Sequence, residues 1–194
     1  NRYPDPYQSA LKEEITKIKG ASPAQLFLGN GSDEAIDLLF RAFCNPGQDN
    51  VILLPPTYGM YGVSAAINGV EVRNVPLTPD FQLQPEKILE AADAHSKILF
   101  ICSPNNPSGN AVKREDILFL LENFPGIVVV DEAYIDFSDG ASLLTVLDQH
   151  PHLLVMQTLS HAWGLASLRL GMAFASPELI RVLNQIKPPY NISG

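Results

Sequence analysis

Short apolar runs alternate along the chain with segments whose apolar residues recur at helical spacing. The apolar runs predict six strands, several of them continuous enough to be buried on both faces of a sheet, at residues 51–54, 71–75, 98–102, 127–131, 153–158 and 170–175. The helical segments lie at residues 8–19, 32–44, 58–68, 85–94, 114–123 and 177–186. This alternation predicts an α/β fold in three layers, αβα, with a mainly parallel, mixed sheet flanked by helices.

Length and composition fit one globular domain or one large lobe of a larger protein. Of the 194 residues, 46% are hydrophobic and 18% are charged, so the chain can bury a core and is not of the disordered type. The net charge of −8 disfavours nucleic acid as a partner, because the surface as a whole repels polyanions. An anionic ligand therefore needs a local binding feature, such as a helix N-terminus or an arginine that points at the ligand.

The cysteines and the longest apolar runs exclude several classes of protein. Cys44 and Cys102 lie far apart within apolar runs, which predicts buried thiols in a reducing, cytoplasmic compartment and no disulfide scaffold. His150 and His152 have no third ligand at metal spacing, so no metal site is expected. The apolar runs are far shorter than the roughly 20 residues that span a bilayer, and no signal-peptide pattern opens the chain. We expect no membrane association.

Polar residues that follow the predicted strands mark the candidate ligand site, because ligands of open parallel sheets bind beyond the carboxyl ends of the strands. These residues are Asp131 at the end of one strand, the turn at 103–109 after another, and Thr158, Ser160, His161 and Arg169 around the end of a third. Considered singly, Asp131 could cap a turn, and the asparagines of the 103–109 turn could be ordinary turn formers.

A further candidate is the segment Gly-Asn-Gly-Ser-Asp-Glu at residues 29–34, which opens a predicted helix at Ser32. The free backbone N–H groups and the dipole of a helix N-terminus suit a phosphate. The same segment could be only a capped helix start. It is not a Rossmann fingerprint, since Glu34 stands at the last glycine position, and the chain has no P-loop motif.

Taken in order, these segments resemble the large domain of the histidinol-phosphate aminotransferase family, fold-type I enzymes that depend on pyridoxal phosphate (PLP). The resemblance rests on Asn-Arg-Tyr-Pro-Asp at 1–5, Gly-Ser-Asp-Glu at 31–34, Pro-Thr-Tyr-Gly-Met-Tyr at 56–61, Ser-Pro-Asn-Asn-Pro-Ser-Gly at 103–109, Asp-Glu-Ala-Tyr at 131–134 and Thr-Leu-Ser-His-Ala-Trp-Gly-Leu-Ala-Ser-Leu-Arg-Leu-Gly at 158–171. The general PLP motifs would fit many class I and II aminotransferases. The segments at 1–5 and 58–61 point to the histidinol-phosphate branch.

The resemblance implies a role for each matching residue. Asp131 would keep the pyridine nitrogen of PLP protonated, which lets the ring accept electrons. Asn106 and Tyr134 would donate to its phenolic oxygen, and Tyr58 would stack on the ring. The cofactor phosphate would be held by Ser32, Asp33, Thr158, Ser160 and Arg169. Tyr3 would reach the phosphate of the other subunit, which implies a homodimer with shared active sites.

His161 departs from the family pattern. The family has a lysine between Ser160 and Ala162, whose amine bonds covalently to the cofactor and moves protons. An imidazole forms no stable bond of that kind, although His161 could still move protons as a catalytic residue beside Asp131 and Tyr134. Three explanations stay open: a deliberate or accidental substitution, a cofactor-modified lysine recorded as another residue, and a natural member that has lost normal catalysis.

The resemblance implies an enzyme of histidine biosynthesis that exchanges an amino group between L-histidinol phosphate, the small-molecule amino donor, and 2-oxoglutarate, the 2-oxo acid acceptor. Two alternatives remain: a catalytically silent protein of the same fold that binds PLP or an intersubunit partner, and a related PLP enzyme such as threonine-phosphate decarboxylase. Residues 1–194 would form the PLP-binding large domain. We expect the N-terminal arm and the small C-terminal domain, with its arginine for the substrate carboxylate, to lie largely outside this chain.

Overall fold

The computed structural model describes residues 3–192, which contain one seven-stranded mixed sheet. The strands are β1 (Leu26–Asn30), β2 (Asn50–Leu53), β3 (Glu71–Asn74), β4 (Ser96–Cys102), β5 (Ile127–Asp131), β6 (Leu153–Thr158) and β7 (Leu170–Ala175). Their order across the sheet is β1-β7-β6-β5-β4-β2-β3. Strand β7 is antiparallel to both of its neighbours, and the other pairs are parallel. The predicted fold class is confirmed.

Six α-helices accompany this sheet within the described residues. They are α1 (Ser9–Lys19), α2 (Ser32–Phe43), α3 (Met60–Ile67), α4 (Pro85–Ala91), α5 (Arg114–Asn123) and α6 (Pro177–Ile186). Each predicted helix is present, and the predicted and observed bounds differ most at the start of α3 and the end of α4. Helix α3 begins at Met60 where the prediction began at Tyr58, and α4 ends at Ala91 where the prediction ended at Ala94.

Strand β1 was not predicted from the pattern of apolar residues. Its apolar run is Leu26, Phe27 and Leu28, which is shorter than the runs of about four to eight residues that mark a buried strand. These three side chains are fully buried, and β1 pairs along its whole length with β7 at one edge of the sheet. Tertiary pairing with a distant segment, which no local pattern reports, therefore stabilises this strand.

Two apolar layers fill the space between the sheet and its helices. Because successive side chains of a strand point to opposite faces, Val128 and Val130 of β5 pack in the same layer as Leu120 of α5. Val129, between them, packs in the other layer, which contains Phe40 of α2. All five side chains are fully buried. The molecule therefore has the predicted three layers, with apolar side chains on both faces of the sheet.

Because β7 runs in the opposite direction, its first residues lie at the end of the sheet where the parallel strands have their carboxyl ends. Thr158, the last residue of β6, lies opposite Gly171 of β7, and Gly29 of β1 lies opposite Gly171 on the other side. Arg169 directly precedes β7 and lies at this same end; its backbone carbonyl accepts a 2.7 Å hydrogen bond from the N–H of Gly31. The antiparallel strand therefore places a cation beside the start of α2.

Gly171 packs tightly against the loop that opens α2. A Cβ on Gly171 would lie 2.2 Å from the carbonyl carbon of Gly31 and 2.3 Å from the nitrogen of Ser32, so any side chain would displace backbone. We expect Gly171→Ala to lower the free energy of unfolding by about 1–3 kcal/mol, measured by urea denaturation. Gly59→Ala is the matched control, because a Cβ there meets nothing within 4 Å. Equal losses in the two variants would contradict the packing argument.

Both cysteines are free and buried, as predicted. No helix in the part of the chain that the structure describes is long and apolar enough to cross a membrane. The same residues contain no group of three or more His, Cys, Asp or Glu side chains that could hold a metal ion.

Candidate active site

Residues at the carboxyl ends of the parallel strands surround a cavity. Its walls come from the ends of β4, β5 and β6 and from the segments that follow β1 and β2 and precede β7. The structure brings His161 and nine of the ten predicted cofactor residues together around it: Ser32, Asp33, Tyr58, Asn106, Asp131, Tyr134, Thr158, Ser160 and Arg169. Gly31, Cys102 and Ala133 also line the cavity and were not predicted.

Tyr3 is the predicted residue that does not line this cavity. Its ring stacks on Tyr190 with the centroids 4.7 Å apart, and 81% of the residue is exposed. The prediction concerned the cofactor of a second subunit, so it stays a prediction. Asn1 and Arg2, which share its sequence motif, lie outside the described residues.

Asp131 is a buried carboxylate at the end of β5, with 3% of the residue exposed. Its Oδ2 accepts a 2.6 Å hydrogen bond from the Tyr61 hydroxyl, and its Oδ1 accepts a 3.1 Å bond from the N–H of Ala133. Burial raises the pKa of the Asp131 carboxyl, and these two hydrogen bonds oppose the rise. Within residues 3–192 no Lys, Arg or His nitrogen lies within 4.0 Å of it. A cationic group of a ligand would compensate this buried charge.

Tyr61 of α3 supports Asp131 and was not predicted from the sequence as a site residue. Its side chain is fully buried, stacks on Phe100 at 4.7 Å between centroids, and meets the Tyr58 ring edge-on at 5.6 Å. Burial and the nearby Asp131 carboxylate raise the pKa of the Tyr61 hydroxyl well above its usual value, so this hydroxyl remains a donor. The available signal was the three-residue spacing of Tyr58, just before α3, and Tyr61, in its first turn.

Asp33, Tyr58 and Arg169 form a linked group beside the N-terminus of α2. The Tyr58 hydroxyl donates to Asp33 Oδ1 at 3.1 Å, and Arg169 Nη2 lies 3.9 Å from Asp33 Oδ2. Burial and the Asp33 carboxylate raise the pKa of Tyr58 to about 12, so its hydroxyl is neutral at physiological pH. The Asp33 carboxylate therefore restrains the Tyr58 ring and the Arg169 guanidinium. Its charge would repel a phosphate, so any donation from Asp33 to an anion would come from the backbone N–H.

Donors for an anion gather where β6 ends and α2 begins. Thr158 Oγ1 donates to Ser160 Oγ at 3.0 Å and accepts from the Ser160 N–H at 3.1 Å, which fixes the two hydroxyls together. Helix α2 contributes the free N–H groups of its first turn. The Arg169 guanidinium is half exposed and lies over Gly31, where a Cβ would come within 2.5 Å of Nη2. The two hydroxyls, the helix N–H groups and Arg169 together form the local feature that an acidic protein needs to hold an anion.

Asn106, Tyr134 and His161 form another wall of the cavity. Asn106 Nδ2 donates to the Tyr134 hydroxyl at 3.4 Å. The His161 ring stacks on Tyr134 with the centroids 4.3 Å apart and the planes 5° from parallel. His161 Nδ1 lies 3.0 Å from the carbonyl oxygen of Ala133. An aromatic stack and one hydrogen bond therefore orient an imidazole on the rim of the cavity.

The sequence matches the family "Aminotransferase class I and II" over residues 1–194. The chain belongs to this family. It is 59% identical over 193 residues to the histidinol-phosphate aminotransferase of Flavobacterium johnsoniae, a match that covers 100% of this chain and 55% of that protein. The chain therefore spans about half the length of the curated relatives it matches.

Solved structures give the same picture of the fold. A histidinol-phosphate aminotransferase from Sinorhizobium meliloti, in complex with pyridoxal-5'-phosphate, superposes with a TM-score of 0.90 at 25% identity over 99% of this chain and 53% of that chain. An L-threonine-O-3-phosphate decarboxylase from Porphyromonas gingivalis superposes with a TM-score of 0.84 at 22% identity over 100% of this chain and 60% of that chain. The second likeness shows a shared fold and does not separate the two activities.

Proposed function

We propose that this chain is the PLP-binding large domain of an aminotransferase of histidine biosynthesis, which exchanges an amino group between L-histidinol phosphate and 2-oxoglutarate. The observation that carries the proposal is Asp131, a buried carboxylate on the cavity that forms no salt bridge with any Lys, Arg or His side chain in the part of the chain that the structure describes. The pyridinium nitrogen of PLP is a cation of the required kind. The 59% identity to a histidinol-phosphate aminotransferase supports the substrate.

The cavity offers partners for the phosphate, the phenolic oxygen and the ring nitrogen of PLP. The start of α2, the Thr158 and Ser160 hydroxyls and Arg169 suit its phosphate. Asn106 and Tyr134 offer donors for its phenolic oxygen, and the Tyr58 ring offers an aromatic face for the pyridine ring. These residue types fit the cofactor at its anionic end, its phenolic oxygen and its ring nitrogen, which supports PLP as the ligand.

The chain's own residues would bind and orient the cofactor. When bound, PLP supplies an acceptor for the electron pair released at the substrate Cα. Asp131, held by Tyr61 and Ala133, keeps a proton on the ring nitrogen. His161 can accept or donate a proton at the imidazole nitrogen that does not face Ala133.

We propose further that His161 stands at the position of the family's covalent lysine. Its place on the cavity wall beside Tyr134 supports this assignment. Because an imidazole cannot bond covalently to the cofactor, this chain would hold PLP by noncovalent contacts alone, and amino transfer would be slow or absent. The catalytically silent alternative corresponds to His161 as the native residue.

A homodimer with shared active sites is the assembly that we propose. Phe137, Trp163, Leu165 and Leu168 are exposed apolar side chains on the segments that follow β5 and β6. The Trp163 Nε1–H donates to Asp136 at 3.0 Å, so the two segments are adjacent. Exposed apolar side chains on two adjacent segments support a protein interface here. The two free, buried cysteines support a reducing, cytoplasmic location.

Substrate turnover by the full-length protein with His161→Lys tests the proposed activity. We expect amino transfer from L-histidinol phosphate to 2-oxoglutarate, followed as formation of glutamate, and no release of CO₂ from L-threonine O-3-phosphate. Turnover of threonine phosphate alone would replace the proposal by the decarboxylase. Turnover of neither substrate by a variant that binds PLP would contradict both activities.

Arg169→Ala is expected to weaken PLP binding by about tenfold to a hundredfold. The guanidinium offers a charge-assisted bond to the phosphate, worth about 1.5–3 kcal/mol. The dissociation constant can be measured by titration with PLP, with the fluorescence of Trp163, the single tryptophan of the chain, as the signal. Arg41→Ala is the matched control, since Arg41 pairs with Asp37 in the last turn of α2. Unchanged affinity in Arg169→Ala would show that the phosphate lies elsewhere.

A further inference from the structure

We propose that His161 makes this site select the amine form of the cofactor, pyridoxamine phosphate (PMP), over the aldehyde form, PLP. The inference rests on the proposed function and names the form of the ligand that this particular chain binds. It follows from the hydrogen-bonding character that the fold imposes on the His161 ring.

The surroundings of His161 fix which ring nitrogen carries the proton. Nδ1 lies 3.0 Å from the carbonyl oxygen of Ala133, and a carbonyl oxygen can only accept, so Nδ1 is the donor. In a neutral imidazole the other nitrogen, Nε2, is then an acceptor. No side chain or backbone group among residues 3–192 hydrogen-bonds to Nε2, and His161 lines the cavity. The ring therefore offers the ligand an unused acceptor.

The connectivity of the cofactor directs its reactive substituent toward this nitrogen. The carbon that bears the aldehyde or the amine lies opposite the ring nitrogen and between the phenolic oxygen and the phosphate arm. If Asp131 pairs with the ring nitrogen and Tyr134 with the phenolic oxygen, that substituent would lie on the Tyr134 side of the cavity. The His161 ring stacks on Tyr134 with the centroids 4.3 Å apart, so the imidazole would lie beside that substituent.

The two cofactor forms differ in what they present to an acceptor. The aminomethyl group of PMP carries N–H donors, so it can bond to Nε2 of His161. The aldehyde oxygen of PLP can only accept, and it would face the lone pair of Nε2 without a hydrogen bond. The acceptor in the cavity therefore favours the amine.

The lining of the cavity acts in the same direction. No lysine is among the residues that line the cavity in the described part of the chain, so the aldehyde gains no covalent bond there. The aldehyde form therefore lacks the covalent bond that would favour it over the amine form.

The test compares the affinities of PMP and PLP in three forms of the full-length protein, by titration calorimetry. In the unaltered protein we expect PMP to bind about tenfold or more tightly than PLP, the size of one hydrogen bond to a charged group. His161→Phe keeps an aromatic ring against Tyr134 and removes both nitrogens, so the ratio of affinities should fall by about tenfold. His161→Lys should reverse the preference, because the aldehyde then gains a covalent partner.

The outcomes separate this inference from the proposed function. A preference for PLP in the unaltered protein, or the same PMP preference in His161→Phe, would overturn the role of His161 as the selecting acceptor. If His161→Lys binds PLP and the unaltered protein shows no preference, only the inference fails. If neither cofactor form binds to the unaltered protein or to His161→Lys, the proposed function fails as well.

Discussion

Asp131→Asn is expected to slow amino transfer by several orders of magnitude while most of the affinity for PLP remains. A neutral amide cannot keep the ring nitrogen protonated, and that proton lets the ring accept electrons. Binding should persist because the phosphate donors around Arg169 are unchanged and because the Asn side-chain oxygen can still accept from the Tyr61 hydroxyl. The measurement is the rate of each half-reaction in the full-length protein with His161→Lys, by stopped-flow absorbance, beside a PLP titration.

The matched control for this prediction is Asp148→Asn, which makes the same chemical change at an exposed carboxylate hydrogen-bonded to Gln25. It should leave both half-reactions unchanged. Half-reaction rates close to normal in Asp131→Asn would remove Asp131 from the proposed role. A loss of PLP binding as large as the loss of rate would assign Asp131 to affinity, and the electronic argument would then fail.

The strands of this fold could be predicted because a strand buried on both faces is a near-continuous apolar run. Ile127–Asp131 and Leu153–Thr158 were predicted with the bounds that the structure has. The apolar run of β1 is only three residues long, so its pairing with β7 was invisible locally. An apolar run also contains no information on direction, so the reversed orientation of β7 could not be read from it.

The residues of the candidate site could be predicted where a sequence motif contains them. Contacts between residues that are brought together only by tertiary structure could not. Asp131 ends β5 and Asn106 follows β4, and both residues line one cavity. The support of Asp131 by Tyr61 depends on how α3 packs on the sheet. The hydrogen bond from Tyr58 to Asp33 joins the segment after β2 to the first turn of α2, which are distant in sequence, so it is a product of tertiary structure.

His161→Lys is expected to turn a noncovalent PLP site into a covalent one. The side chain at position 161 lies on the cavity wall beside Tyr134, where an amine could reach a bound aldehyde. After incubation with PLP and reduction with borohydride, the peptide of residues 158–169 should gain one pyridoxyl mass in the variant. The same peptide of the unaltered protein should gain none, and the variant alone should develop a visible absorbance band.

His161→Arg is the matched control for that experiment, because it supplies a long cation that cannot form the bond, and its peptide should stay unlabelled. Reactive lysines elsewhere on the surface, such as Lys17, are shared by all three forms and should label equally in each. A pyridoxyl mass on residues 158–169 of the unaltered protein would mean that the molecule carries lysine at position 161. Labelling of that peptide in none of the forms would contradict PLP as the ligand of this cavity, since an amine placed on its wall would then meet no aldehyde.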